Sequence, residues 1–210
     1  QSGKTSQGIT AVAVGPKSGE TTQGDDSVAI GHNAGNSSQG DDSVAIGHEA
    51  GMTSQSANAV AMGYQTGMTT QGIDSVAMGY QAGMTTQGTE SVAVGGLAGT
   101  NNQGDHATAV GYLSGVGNQQ EGGVAIGNGA GYNTQGISAV AVGQVSGFQN
   151  QGDKAIAIGK GSGSSGQGTM AVAVGFEAGK TSQTASGVAI GNSAGYTDQE
   201  GGAIAIGPYA

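Results

Sequence analysis

The chain of 210 residues contains no cysteine and no arginine, and only 4% of it is aromatic. Without cysteine there are no disulfides and no thiol chemistry, and cysteine usage leaves the compartment open. Five lysines against fourteen acidic residues give a formal charge of −9. Nucleic-acid binding rests on cationic phosphate contacts, so that class is excluded, and an acidic surface has no reason to seek an anionic membrane. No apolar run approaches the roughly 20 residues of a membrane span, and no signal peptide is visible. Membrane insertion is therefore not expected.

What the chain has instead is a period. A glycine stands at 15, 31, 47, 63, 79, 95, 111, 127, 143, 159, 175, 191 and 207, always sixteen residues apart. Strict short repeats mark solenoids, in which each repeat is one coil stacked on the last. One unit runs Gln7-Gly8-Ile9-Thr10-Ala11-Val12-Ala13-Val14-Gly15-Pro16-Lys17-Ser18-Gly19-Glu20-Thr21-Thr22. The Gln, the Ala13 alanine and the Gly15 and Gly19 glycines recur in every full unit, and the Val12 position is Val or Ile everywhere except Thr108. The 45 glycines thus belong mostly to a register and do not signal disorder.

Ala-Val-Ala-Val alternates with period two and reads as a strand, with Val12 and Val14 on one face and Ala11 and Ala13 on the other. Gly15 and Gly19 stand where a positive φ ends the strand and the short segment after it. Sixteen residues leave no room for a helix. The fold class expected is all-β, a parallel β-solenoid (β-roll) of thirteen 16-residue coils about 4.8 Å apart. Residues 1–210 form a single repeat domain, a segment of a longer fibre. Glutamines 7, 23, 39 and their successors are expected to stack as an amide ladder.

The branched Val12 and Val14 positions are expected inside the coil. The alanine of the opposite face never grows, which points to another surface lying close against it. Ala13, Ala29, Ala45, Ala61, Ala77 and Ala93 are therefore expected to form a self-association face, with parallel chains packed in a homotrimer.

Ser27-Val28-Ala29-Ile30-Gly31 and Ser43-Val44-Ala45-Ile46-Gly47 have close variants in every coil. They resemble the SVAIG-type repeats of YadA-like head domains in trimeric autotransporter adhesins, and are similar to the Gly/Ala/Gln repeats in shafts of phage and algal-virus fibres. The resemblance implies a left-handed β-roll that trimerises and binds host or matrix surfaces. The period departs from that family, whose coils typically take fourteen or fifteen residues.

Candidate chemistry is sparse. His32 and His48 should stack, as should Asp25 with Asp41 and Asp26 with Asp42; such a set could hold a cation but reads more simply as a solvated acidic corner. No catalytic, cofactor-binding or metal residues are assigned, and no enzyme activity or cofactor is expected. A more informative feature is the stripe Met52, Met68, Met84, Val116, Tyr132 and Phe148, with Tyr64 and Tyr80 beside it. It serves either as an interaction stripe or as part of the coil's own core.

The function expected is a structural or adhesive shaft or head of an extracellular fibre, on a cell or virion surface, with a host-surface or matrix receptor as partner. The alternative is an ice-binding solenoid, because Thr53, Thr69 and Thr85 stack. That ladder degrades at Asn101, Gly117 and Gln149.

Overall fold

The computed structural model describes residues 2–210 and shows a parallel β-solenoid of about thirteen turns, with no helix among the described residues. Two compact units divide at His106 and Ala107. In the first, residues 1–106, one sheet stacks Val12–Val14, Val28–Ile30, Val44–Ile46, Val60–Met62, Val76–Met78 and Val92–Val94 in chain order. The register pairs Val12 with Val28, Ala13 with Ala29 and Val14 with Ile30, so one coil takes sixteen residues as the period predicts. A second sheet stacks the glutamine strands Thr22–Gln23, Ser38–Gln39, Ser54–Gln55, Thr70–Gln71 and Thr86–Gln87.

The second unit, residues 107–210, repeats this plan. Val124–Ile126, Val140–Val142, Ile156–Ile158 and Val172–Val174 stack in one sheet, and Gly117–Gln119, Asn133–Gln135, Gln149–Gln151 and Ser165–Gln167 in the other. Its glutamine strands are three residues long, because the residue before each Gln turns left-handed: Asn118 has φ 49°, Thr134 51° and Asn150 54°. In the first unit that place is held by Thr22, Ser38, Ser54, Thr70 and Thr86, none of which has a positive φ, and the change comes at its last glutamine strand, Asn101–Gln103, where Asn102 has φ 50°. Asn enters the left-handed region several-fold more readily than most residues.

The interior reverses the expectation for the strand. Ala29, Ala45, Ala61, Ala77 and Ala93 expose nothing and pack inside their own coil, whereas Ala13 is half-buried. Ala29, Ala34, Ala45, Ala50 and Ala61 form one apolar cluster; Ala173, Ala178, Ala189 and Ala194 form another. The Val12-type and Val14-type side chains point outward, with Val12 43% and Val14 54% exposed. The alanine column therefore cannot serve as the self-association face.

The reason is the width of the coil. The lumen holds the alanine methyls, small residues such as Ser27 and Ser18, and the glutamine side chain, which crosses it. The Gln39 Nε2 donates to the Val28 carbonyl at 2.8 Å, eleven residues back along the coil. A Cβ added at Gly35 would lie 2.6 Å from the Gln39 Oε1 and 3.2 Å from the Ala29 Cβ. Alanine is invariant because the space it fills is internal and already full.

Both glycine series do what the sequence requires. Gly47 has φ 133°, and a Cβ there would stand 2.1 Å from the Gly63 carbonyl oxygen of the next coil. Gly35 has φ 53° against the glutamine amide. Left-handed backbone also occurs where the sequence carries no glycine: Lys17, Asn33, Glu49, Gln65 and Gln81 form one such column, and Thr10, Asp26, Asp42, Asn58, Asp74 and Glu90 another.

Candidate interaction surfaces

With alanine inside, the motif strand presents its branched residues to solvent. Ile30, Met62 and Met78 in the first unit and Ile126, Ile158 and Ile190 in the second are each more than a third exposed. Val28, Val44 and Val60 lie beside them, half-buried by their neighbours along the sheet. A regular aliphatic sheet face left in water is a feature of interaction surfaces. It repeats at every coil and carries no charge.

The face has two edges. On the side where the strand begins lies the turn before Ser27, and in the first unit its exposed residues include Asp25, Asp26, Asp41 and Asp42. One Asp25 oxygen accepts from the Ile9 amide at 2.7 Å, and one Asp41 oxygen accepts from the Asp25 amide at 3.0 Å, so the carboxylates step from coil to coil. The Thr10 hydroxyl donates to Asp26. On the side where the strand ends lies a column of rings. His32 and His48 stack at 5.0 Å, His48 and Tyr64 at 5.2 Å, and Tyr64 and Tyr80 at 5.4 Å. The His48 Nδ1 is 3.9 Å from the Glu49 carboxylate.

Stacking of His32 with His48 thus follows the repeat, but the imidazoles and the Asp pairs stand at opposite edges of the face. Among the described residues no group of three or more His, Asp or Glu is close enough to hold a metal ion.

The stripe anticipated after the Gly19 series divides. Met52, Met68 and Met84 are half-buried, as are Val116, Tyr132 and Phe148, while Tyr64 and Tyr80 are exposed and join the ring column. Tyr132 and Phe148 stack at 4.9 Å, and the Phe148 ring lies over Gly129 beside Val145. Of the threonines, Thr53 is exposed, Thr69 and Thr85 are half-buried, and the Thr85 hydroxyl meets the Asn101 side chain at 3.2 Å.

Elsewhere, Lys180 is held by Glu177 at 2.7 Å and by the Tyr196 hydroxyl at 3.0 Å. The hydrogen bond to Glu177, then that to Tyr196, raises its pKa above the ordinary lysine value. An open depression of about 470 Å³ is lined by Ser193, Gly195, Tyr196, Thr197, Tyr209 and Ala210, a set without paired acid and base groups. No helix of the described residues is long and apolar enough to cross a membrane.

Residues 6–34, 23–50 and 87–114 match the family described as YadA head domain repeat (2 copies). Those segments resemble YadA head repeats. The matched segments contain the Val28, Val44 and Val92 strands. No curated protein sequence matches the chain. The matched repeat is of a structural adhesin kind.

Proposed function

We propose that this chain is the head or shaft of a surface-exposed adhesin and works as a parallel homotrimer joined through its aliphatic sheet face. The observation that carries the reading is the exposed Val/Ile/Met face of a strand whose motif matches the YadA head repeat. Three such faces turned toward one axis would remove from water what a lone coil leaves in it, at about 25 cal/mol per Å² of apolar surface. A core of alanine methyls and amides stabilises each coil only modestly, so association supplies much of the stability. Repetition then adds function: weak contacts to a host or matrix surface recur along each coil and act multivalently.

The test replaces Ile126 and Ile158 together by Asn. The side chains point away from the coil, so the variant should keep its β signature while sedimenting as a monomer. It should also lose retention on matrix-coated or host-cell surfaces relative to the wild type. A wild type that remains monomeric at high concentration, or a variant that still forms trimers, would overturn the reading.

A further inference from the structure

Most acidic residues stand at one edge of the aliphatic face, and rings with His32, His48 and Lys160 at the other; His106 and Lys154 are exceptions that share the acidic edge, His106 lying 3.2 Å from Glu90. The two columns just before the strand, those of Asp25 and Asp26, contain nine of the chain's 14 acidic residues. The column just after it, that of His32, contains none in thirteen coils, and instead holds His32, His48, Tyr64, Tyr80 and Lys160 among its members.

In three coils an acid at one edge is matched by a base at the other. In the coil of Val28, His32 stands at one edge and Asp25 and Asp26 at the other; in the coil of Val44, His48 faces away from Asp41 and Asp42 in the same manner. In the second unit, Lys160 shares its coil with Asp153. Within one protomer these groups cannot meet, because the strand separates them.

A threefold axis parallel to the coil stack brings them together. Strands related by such an axis circulate in one sense, so the end of each strand abuts the beginning of the next protomer's strand. We infer that protomers meet in register at these corners, with the His32 and His48 column of one copy against the Asp25/Asp26 and Asp41/Asp42 columns of its neighbour, and Lys160 against Asp153. The occupant of each edge is thus a second copy of this chain, chosen by charge complementarity. The inference rests on the proposed parallel trimer and adds what fixes its register. An aliphatic ladder with one repeat per coil slides by one coil at little cost, whereas a one-coil slip takes the acids from one histidine of the pair, leaving His48 against Ala57 and Asn58 or His32 against Ile9 and Thr10. Polar groups at the rim of an apolar contact set partner choice and register in this way. They also let a chain of net charge −9 associate with itself.

Because the chain has no cysteine, cross-linking reads the register directly. The variant His32→Cys with Asp26→Cys should give disulfide-linked dimers and trimers on mild oxidation, and His32→Cys with Asp74→Cys, three coils out of register, should give none. Separately, His32→Glu with His48→Glu should raise the monomer–trimer midpoint about tenfold. Adding Asp26→Lys and Asp42→Lys should restore it; Lys154 already occupies that column with the same left-handed backbone. Trimers by sedimentation without the in-register cross-link, or unmoved by the charge reversal, would overturn this inference and leave the trimer itself standing. A monomeric wild type would remove both.

Discussion

The Gln135 side-chain amide donates to the Gln151 Oε1 at 3.1 Å, and Gln151 passes the contact on to Gln167 at the same distance. The series runs from Gln119 to Gln199 in the second unit. Each Nε2 also binds two backbone carbonyls of the coil, as Gln151 does with Val140 at 2.8 Å and Ala155 at 3.3 Å. In the second unit the expected ladder therefore forms together with contacts to each coil's own carbonyls. For Gln23, Gln39, Gln55, Gln71 and Gln87 the carbonyl contacts form instead, and their Oε1 atoms lie buried without a hydrogen-bond partner. The coil-to-coil amide bonds accompany the left-handed residue before each Gln, which is absent before these five glutamines.

Replacing Gln151 by Leu should therefore cost more than replacing an exposed residue. It strands the Val140 carbonyl and the amides of its two neighbours in a dry lumen, at about 1–3 kcal/mol for each unsatisfied group. Urea unfolding of the wild type and variant would measure this, with a clearly lower midpoint expected. An unchanged midpoint would mean that the lumen admits water.

Gly47→Ala should be among the most damaging single-atom changes. The new Cβ meets backbone, not a movable side chain, at 2.1 Å, so the next coil must shift or separate. We expect loss of about 2 kcal/mol or more, given that strained backbone alone costs about 1–3 kcal/mol. Ala substituted at Gly202, where φ is 72° and nothing lies within 4 Å, isolates the backbone cost. Thermal melts of the two variants should differ accordingly.

Much of the fold was legible because the repeat samples each position thirteen times within one chain. The period, the absence of helix, the register and the glycine corners all follow from residues that never vary. The orientation of the strand was not legible from the same signal. Invariant smallness at Ala29 and Ala45 means that something lies close, and alternation cannot say whether that neighbour is across the lumen or in another chain. The coil's width decides it: a sixteen-residue turn encloses room for methyls and one amide, so the branched residues go outside. The left-handed columns at Lys17 and Asp26 were hidden for a related reason. Composition there varies from coil to coil, Lys17 giving way to Asn33, Glu49, Leu97 and Val145, so no residue type marks the conformation. Of the candidate surfaces, the stacking of His32 on His48 was legible from spacing, but its separation from the Asp columns required knowing which way the strand faces.

Val145 tests the cost of those columns. It is β-branched and sits at φ 50°, a conformation in which branched residues are outliers. Val145→Asn should stabilise the chain by about 0.5–1 kcal/mol if the backbone cost dominates. The opposing loss is its contact near Phe148 over Gly129, and a destabilised variant in calorimetry would show that this packing outweighs the strain.

Ala77 and Ala93 decide the orientation of the strand. Both have zero exposure, and their methyls face the glutamine amides across the lumen, as shown by the 3.2 Å approach that a Cβ at Gly83 would make to the Ala77 Cβ. Changing both to Gln should force two long polar side chains into filled space beside Gln87 and Gln103. Overpacking alone costs about 1–3 kcal/mol per site, and each buried amide adds unsatisfied groups. The double variant should therefore lose its β circular dichroism or melt far below the wild type at every protein concentration. The outward-facing pair Val76→Gln and Val92→Gln should behave differently, keeping the β signature while weakening association. If the alanine variant instead remained folded and merely dissociated, the strand would face the other way from that described here, and the aliphatic ladder would be the core.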